Sequence, residues 1–293
     1  FNDEFRWLDV MSELAFMVMD LHAHGLPALA HRLLNAYLQA SGDYDGVRVL
    51  DYCLVHRALV RAKVAQLRAV QSEGDARAQA VAAARRYLSL AQRYATPRRR
   101  ALLITHGLSG SGKTTLTQGL VEAMGAVRVR SDVERKRLAG LAALQSSHSK
   151  PGGSLYAAAM NDATYGRLLD AATAVVEGGW PVILDATFLR QADRAAARRR
   201  AAELGAAFFI LHFTAAPDEL RERVRQRAAQ GRDASEADEA VLARQEQTLE
   251  PLQSDEMDAL HAVQLAPSGD AQPRADWAPL LARLGIVMSA EAE

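Results

Sequence analysis

The feature that most constrains this chain is the segment 107–114, GLSGSGKT, which satisfies the pattern G-x-x-x-x-G-K-[ST] without exception. It follows a short apolar run at residues 101–105 and precedes a helical pattern that begins at Lys113. Glycines let the backbone turn so tightly that successive N–H groups point at one anion, and the following helix adds a partial positive charge. The segment therefore predicts a phosphate-binding loop (P-loop). A glycine-rich loop with a surface lysine is the alternative.

This chemistry gives the P-loop residues specific roles. Lys113 is expected to bridge the β- and γ-phosphates of ATP, and Thr114 to bind Mg²⁺. The predicted ATP-binding residues are Gly107, Ser109, Gly110, Ser111, Gly112, Lys113, Thr114 and Thr115. The predicted cofactors are thus ATP and Mg²⁺.

After residue 96, short apolar runs alternate with long helical patterns, which is typical of βαβ units and a parallel sheet. The predicted strands are residues 101–105, 126–129, 181–184, 207–213 and 261–265. The predicted helices begin near Lys113, Val133, Leu155, Gln191, Pro217 and Ala237. The fold class is therefore α/β: a kinase-like P-loop NTPase with a parallel sheet and helices on both faces.

The first part of the chain has a different pattern, because its apolar residues keep helical spacing up to about residue 94. Turn residues at 24–27, 41–44 and 71–75 divide it into three or four helices. The segment TPRRR at residues 96–100 separates the two patterns. We predict an all-helical region over residues 1–95 and a P-loop kinase-like ATP-binding domain over residues 96–293.

Two acidic residues follow predicted strands, at the edge where a parallel sheet binds its ligands. Asp132 comes after the second strand, where a carboxylate can orient an acceptor hydroxyl and take its proton; capping of the next helix is the alternative role. Asp185 ends the third strand, where it can order the water shell of Mg²⁺ or merely cap the following turn. Thr187 and Arg190 lie just beyond and are further candidates for the site.

Arginines near both acids are candidates for binding phosphate or acceptor. Arg130 and Arg135 are predicted to bind the acceptor, although each can also be an ordinary surface charge. Residues 217–227 form an arginine-rich helix, and Arg227 and Arg232 are expected to close over the transferred phosphoryl group as a lid. An exposed helix with internal salt bridges is the alternative for this segment.

Composition excludes several classes of function. Lys+Arg and Asp+Glu both number 35 and aromatic residues make up 6%, which argues against a basic channel with stacking aromatics for nucleic acid. Cys53 is the single cysteine, which excludes an internal disulfide and fits a reducing compartment. The sequence has no apolar run of about 20 residues and no signal-peptide pattern. A cytoplasmic protein without membrane contact is expected.

These residues together resemble the P-loop kinase branch that includes polynucleotide 5′-hydroxyl kinases, zeta-type toxins, chloramphenicol phosphotransferases and gluconate kinases. The resemblance covers about residues 101–270. The shared features are residues 107–114, Asp132, Arg135, Asp185 and the arginine-rich lid. In that branch the acid after strand two commonly serves as the base, which supports this role for Asp132. The acceptor differs widely between members, so the resemblance implies no particular substrate.

A second resemblance concerns the helical region. Residues 1–16, FNDEFRWLDVMSELAF, look like the segment just after the metal-binding Asp of aminoglycoside-phosphotransferase-like kinases, and the following helices look like their C-lobe. The whole chain looks like the C-terminal portion of bacterial proteins that join such a kinase-like domain to a P-loop, AAA-type ATPase. The sequence has no H-G-D catalytic loop. This half is therefore not expected to phosphorylate anything itself.

The sequence thus predicts an ATP-dependent phosphotransferase whose partners are ATP and an unidentified hydroxyl acceptor, either a small molecule or nucleotide-like. The predicted catalytic residues are Lys113, Asp132, Arg227 and Arg232, with Arg130 and Arg135 for substrate and Thr114 and Asp185 for the metal. The alternative is a regulatory ATP-binding module that hydrolyses ATP slowly and governs the helical region.

Overall fold

The computed structural model describes residues 7–143, 145, 158–230, 234–264 and 275–285. The helices are α1 Val10–Ala23, α2 Pro27–Ser41, α3 Val47–Val70, α4 Gly74–Ala95, α5 Lys113–Met124, α6 Ser131–Leu138, α7 Ala158–Glu177, α8 Gln191–Glu203, α9 Pro217–Gln230, α10 Glu239–Thr248 and α11 Ala278–Arg283. The strands are β1 Ala101–His106, β2 Val127–Arg130, β3 Val182–Asp185, β4 Ala207–Thr214 and β5 Leu260–Gln264, with a 3₁₀ turn at Ser254–Ala259 before β5.

The five strands form one parallel sheet in the order β2-β3-β1-β4-β5. The predicted α/β class and parallel sheet are confirmed, and strand bounds agree with the prediction to within about two residues. Helix α6 begins at Ser131 and α10 at Glu239, each two residues from its predicted start. Leu155 and Leu265, which the sequence placed at a helix start and a strand end, lie outside the described residues.

The central strand β1 is buried over its whole length. Its alternate residues enter two separate cores, because successive side chains of a strand point to opposite faces of the sheet. Leu102 and Ile104 pack into the larger core with α7 and α8. Leu103 packs into the other core with apolar residues of α5 and α11. Helices therefore cover both faces, as the sequence predicts.

The helical region consists of α1 to α4 and lies directly on one face of the sheet. Its buried side chains, such as Leu34 and Leu54, belong to the same apolar cluster as Val127 and Leu184 of the sheet. Four helices agree with the expected three or four. The division at residue 96 remains a prediction from composition, since one continuous core crosses it.

Asn35 of α2 joins the helical region to the edge strand β2. Its side-chain amide donates a hydrogen bond to the carbonyl oxygen of Ala126 (3.0 Å), and its Oδ1 accepts one from the backbone N–H of Arg128 (2.7 Å). Backbone groups on an edge strand otherwise lack partners. The helical region therefore satisfies part of the free edge of the sheet.

A buried carboxylate forms a second polar connection. Glu134 of α6 is fully buried and accepts hydrogen bonds from the Tyr44 hydroxyl (3.2 Å) and from Nε of Arg167 (3.2 Å). Arg137 is a further ion-pair partner of this carboxylate. Arg167 also donates to the carbonyl oxygen of Gly42 (3.0 Å). Since a buried charge requires such partners, these contacts hold the α2–α3 turn, α6 and α7 together.

The single cysteine and the hydropathy of the helices are the two features of composition that bear on the fold. Cys53 is a buried free thiol, and burial raises its pKa. Within the described ranges, none of the helices is long and apolar enough to cross a bilayer.

The buried histidine His22 predicts a loss of stability in mild acid. It pairs with the Tyr94 hydroxyl (2.7 Å), and burial, followed by the neighbouring His31, lowers its pKa from 6.5 to about 3. Between these two values the unfolded chain binds a proton that the folded chain does not, so the free energy of unfolding decreases as the pH falls from 6.5 towards 3. We expect His22→Asn to reduce this slope in urea titrations at several pH values.

The matched control is His24→Asn, which changes an exposed histidine at the end of the same helix. It measures how far replacing an exposed histidine at this end of the helix changes the same slope. Equal slopes for His22→Asn and the unmodified chain would contradict the prediction.

Candidate functional site

The carboxyl ends of β1, β2 and β3 open into a cavity of about 740 Å³. Parallel strands present their carboxyl ends at one edge of the sheet, so residues distant in sequence converge there. The predicted site residues that line this cavity are Ser109, Gly110, Gly112, Lys113, Thr114, Thr115, Arg130, Asp132, Arg135, Asp185 and Arg227. Thr187 and Arg190 line it as well. Arg232 lies outside the described residues.

The P-loop conformation requires its glycines. Gly107, Gly110 and Gly112 have φ values of +144°, +86° and +81°, which L side chains rarely adopt. A Cβ atom on Gly107 would lie 2.4 Å from the carbonyl oxygen of Phe213, and one on Gly110 would lie 2.8 Å from that of Leu220. Glycine is therefore required at positions 107 and 110, because the loop backbone passes close to β4 and α9.

Lys113 is a buried ammonium group at the start of α5. Its Nζ donates hydrogen bonds to the carbonyl oxygen of Gly107 (2.9 Å) and to Oγ of Ser111 (3.3 Å). Burial lowers its pKa to about 8, while the nearby carboxylates of Asp185 and Asp132 act in the opposite direction. Lys113 therefore remains mostly charged at neutral pH. It is not the surface lysine of the alternative interpretation, since it is 9% exposed.

Thr114 and Asp185 form a hydroxyl–carboxylate pair. Oγ1 of Thr114 donates a hydrogen bond to Oδ2 of Asp185 (2.7 Å), and Asp185 is buried at the end of β3. Nε of Arg130 lies 4.0 Å from the same carboxylate oxygen. The register of the sheet explains this proximity, because Arg130 and Asp185 are paired residues of β2 and β3. Oxygen donors of this kind are what Mg²⁺ prefers, so the two residues fit a metal held mainly by phosphate and water oxygens.

Asp132 lies in the first turn of α6, where its side chain lines the cavity. The N-cap position of this helix belongs to Arg130, so Asp132 does not occupy the cap. Arg135, three residues on, donates a hydrogen bond to Oδ1 of Asp132 (3.1 Å) and another to Oδ1 of Asn161 in α7 (3.3 Å). This i,i+3 spacing on one helix brings the acid and the arginine to the same side of the cavity.

The arginine-rich helix α9 borders the cavity opposite α6. Arg223 and Arg227 both line it, as their spacing of four residues predicts. Arg227 donates to the carbonyl oxygen of Ala237 (3.1 Å), whereas Arg223 forms an ion pair with Glu219. Helix α9 therefore has arginines at the cavity, as a lid requires, and also an internal ion pair, as an exposed salt-bridged helix has. The lid role of Arg227, and of Arg232 beyond it, stays a prediction.

The cavity also contains residues that the sequence did not indicate. Gln245 of α10 accepts a hydrogen bond from the backbone N–H of Ser109 (2.9 Å). Tyr165 of α7, whose pKa is raised by burial, accepts one from the backbone N–H of Phe188 (3.1 Å). Phe188 has a φ of +46°, which is unusual for a residue with a side chain and marks strain beside the site. Neither Tyr165 nor Gln245 belongs to a motif or directly follows a strand, so no local signal identified them.

Arg190, just beyond β3, is a further arginine that lines the cavity. Its guanidinium donates to Asp193 (2.8 Å) and to Asp162 (2.7 Å), and these bonds, that of Asp193 first, raise its pKa. It is 44% exposed, so its carboxylate partners contribute mainly to orientation.

Comparison with known proteins places this site in a family. A model of the AAA domain family matches residues 102–252, which contain the P-loop, both acids and the arginine-rich helix. The uncharacterized protein Rv2004c of Mycobacterium tuberculosis and the uncharacterized protein Mb2027c of Mycobacterium bovis are each 33% identical over 243 residues, which are 83% of this chain and 48% of each relative. The chain spans about half the length of the curated relatives it matches.

Several solved structures are similar to this chain over about three fifths of its length. A gluconokinase from Sinorhizobium meliloti 1021 has 20% identity and a TM-score of 0.40, over 58% of this chain and 86% of that one. The APS kinase CysC of Mycobacterium tuberculosis has 21% identity and a TM-score of 0.42, over 64% and 98%. Kti12 of Chaetomium thermophilum has 16% identity and a TM-score of 0.47, over 64% and 100%. Likenesses this distant do not determine an activity.

The close approach at Gly107 predicts that a methyl group cannot be accommodated there. We expect Gly107→Ala to lower the free energy of unfolding by at least about 1 kcal/mol, because it adds backbone strain to a clash with the carbonyl of Phe213. Gly166→Ala is the control, since Gly166 lies in α7 with open space around its Cβ position. It is expected to stabilise by about 0.5–1 kcal/mol. Urea unfolding of both variants tests the pair, and equal effects would contradict it.

Proposed function

The chain belongs to the AAA domain family, and we propose that it uses its P-loop to transfer the γ-phosphoryl group of ATP to a hydroxyl group of a small-molecule or nucleotide-like acceptor. One observation carries this proposal. The same cavity is lined by Lys113 and Thr114 at the phosphate-binding loop and by Asp132 in the first turn of α6, just after β2. A phosphate donor and an acceptor can therefore meet within one cavity.

The P-loop would bind the phosphates of ATP. Its glycine conformations and the N-terminus of α5 create a concave surface for anions, and the buried ammonium of Lys113 supplies the charge. In this role Lys113 would exchange its hydrogen bonds to Gly107 and Ser111 for bonds to phosphate oxygens. Gln245 would help to hold the loop through the backbone N–H of Ser109.

Thr114 and Asp185 would hold Mg²⁺. The threonine hydroxyl would act as a ligand, and the carboxylate of Asp185, already within hydrogen-bond distance of that hydroxyl, would order the water shell. When bound, Mg²⁺ would neutralise charge on the phosphates. Arg130 would fix the orientation of Asp185 from the adjacent strand.

Asp132 would act as the base for the acceptor. The acceptor oxygen would form a bond to the γ-phosphorus as the bond between that phosphorus and the β–γ bridging oxygen breaks, and ADP would leave. The hydroxyl proton would pass to the carboxylate of Asp132. Arg135, which donates to this carboxylate, would orient it, and Arg130 and Arg135 would contact the acceptor.

Arginines of α9 would complete the phosphate environment. Arg227 lies near enough to Lys113 for its charge to lower the pKa of the lysine, so both cations act on the same region. In this proposal Arg227 and Arg232 stabilise the charge that develops on the transferred group. Exclusion of water by this helix would favour transfer over hydrolysis.

The remaining sequence-based expectations stay proposals. These are a helical region over residues 1–95 that resembles the C-lobe of aminoglycoside-phosphotransferase-like kinases, a separate ATP-binding domain over residues 96–293, and a cytoplasmic location. The phosphoryl transfer proposed above is assigned to the P-loop cavity alone.

A regulatory ATPase without a dedicated acceptor is the second candidate, and one observation favours it. Glu134, two residues from Asp132, is bonded to Tyr44 of the helical region. A change in α6 on nucleotide binding would therefore reach the α2–α3 turn through this buried hydrogen bond. In this case the helical region would be the target of the nucleotide signal.

The base role predicts a selective defect in Asp132→Asn. Turnover of ATP is measured with and without a panel of hydroxyl acceptors: neutral sugars, polyols and nucleosides. If Asp132 takes the acceptor proton, the variant should retain ATP binding and lose about 10²- to 10⁴-fold in the acceptor-dependent rate. Lys113→Ala should instead lose both ATP binding and turnover.

The outcomes separate the two candidate functions. A strong rise in turnover with one acceptor, abolished by Asp132→Asn, supports the phosphotransferase. If no acceptor changes the rate of ATP turnover and only Lys113→Ala reduces it, the regulatory ATPase is supported and the base role of Asp132 is contradicted.

The metal role predicts a changed Mg²⁺ requirement in Asp185→Asn. The Mg²⁺ concentration for half-maximal ATP turnover should rise by about tenfold or more, because ordering of the metal's surroundings is lost. Asp218→Asn removes an exposed carboxylate of α9 and is the control. An unchanged Mg²⁺ requirement in Asp185→Asn would exclude this role.

A further inference from the structure

Helix α3 carries an unusual apolar face towards solvent. Its 24 residues place one set of apolar side chains, including Leu50 and Leu54, in the core. A second set on the other side of the helix is 41% to 75% exposed: Tyr52, Leu59, Val60, Val64, Leu67 and Val70. A helix that is apolar around most of its circumference is normally buried on all sides.

The exposed face of α3 is continuous and poor in charge. Positions of a helix separated by three, four or seven residues lie on the same side, so these six side chains form one stripe. A helix of this length extends about 36 Å, which is similar to the diameter of a small domain. Phe16 of α1, which packs against Arg57 of α3, is also partly exposed beside it. Contiguous apolar surfaces of this kind mark interaction sites.

The character of this face favours a permanent contact. Interfaces that form and dissociate are about as polar as the rest of a protein surface, whereas permanent ones resemble a core cut in half. The stripe offers Lys63 and His56 as its polar side chains among the apolar positions. A permanent contact of domain size is formed either within one polypeptide or between obligate subunits.

The length of the mycobacterial relatives favours a contact within one polypeptide over a contact between obligate subunits. The 243 matched residues are 48% of the mycobacterial relatives, so more of each relative lies outside the match than inside it. We propose that the exposed face of α3 packs against a further folded part of the same polypeptide, corresponding to the unmatched half of these relatives. A tethered domain has a high effective concentration, which favours this contact over one with a separate molecule.

Site-specific thiol labelling tests the proposal. Val60→Cys on the stripe is compared with Glu203→Cys on α8, an exposed position far from α3 in sequence. Each substitution is made in the 293-residue chain and in the complete polypeptide encoded by the gene, and modification of the peptide is followed by mass spectrometry. In the complete polypeptide, labelling at position 60 should slow by at least about tenfold, because the docked part must first open. Labelling at position 203 should proceed equally in both.

Equal labelling rates at position 60 in the two proteins would overturn the proposal, as would a complete polypeptide without a further folded part. Protection of position 60 in the 293-residue chain that increases with protein concentration would show that a second copy covers the face instead. Val60→Asp is a second variant. It should leave the unfolding midpoint of the 293-residue chain unchanged and lower that of the complete polypeptide; a midpoint unchanged in both would also overturn the proposal.

Discussion

The burial of β1 at the centre of the sheet is the constraint on which the rest of the structure depends. Every residue of this strand is buried, with β3 and β4 as its hydrogen-bonded neighbours. A strand held in this way fixes the position at which its next residues leave the sheet. The P-loop therefore begins at a defined point beside the end of β3. Helix α5 then starts at Lys113, within the P-loop. Asp185 meets Thr114 because of this arrangement, although 71 residues separate them.

The helical region contributes to the same arrangement from one face of the sheet. It extends the larger core and supplies Asn35 to the edge strand β2. It also supplies Tyr44 to Glu134, within the helix that carries Asp132 and Arg135. Because the helix of the candidate base is held by the buried hydrogen bond from Tyr44 to Glu134, its position depends on both halves of the chain. Such a buried charge costs free energy unless all its partners are present, which ties the two halves to one arrangement.

The predictability of this structure follows from the range of the interactions. The strands of the sheet were predictable because burial on both faces of a parallel sheet produces continuous apolar runs, and Gly and Lys at fixed spacing specify the P-loop. Helix α11 was not predicted. Asp132 and Asp185 were identified as candidate site residues because each lies at the end of a predicted strand. Tyr165 and Gln245 reach the site from helices whose sequences meet only the demands of packing, so nothing local distinguishes them. The exposure of the apolar stripe on α3 could not be predicted either, since an apolar helix has the same sequence pattern whether its second face is covered or open to solvent.

By itself, the sequence determined the P-loop, the parallel α/β class and the acidic residues at the strand ends. These depend on backbone conformation, periodicity and the position of a residue next to a strand, which are local properties. Only the tertiary structure decided that Arg135 bonds Asp132 and Asn161, that Lys113 is buried, and that the helical region shares one core with the sheet. These depend on which helix faces which, and that choice is made by packing between segments far apart in the chain.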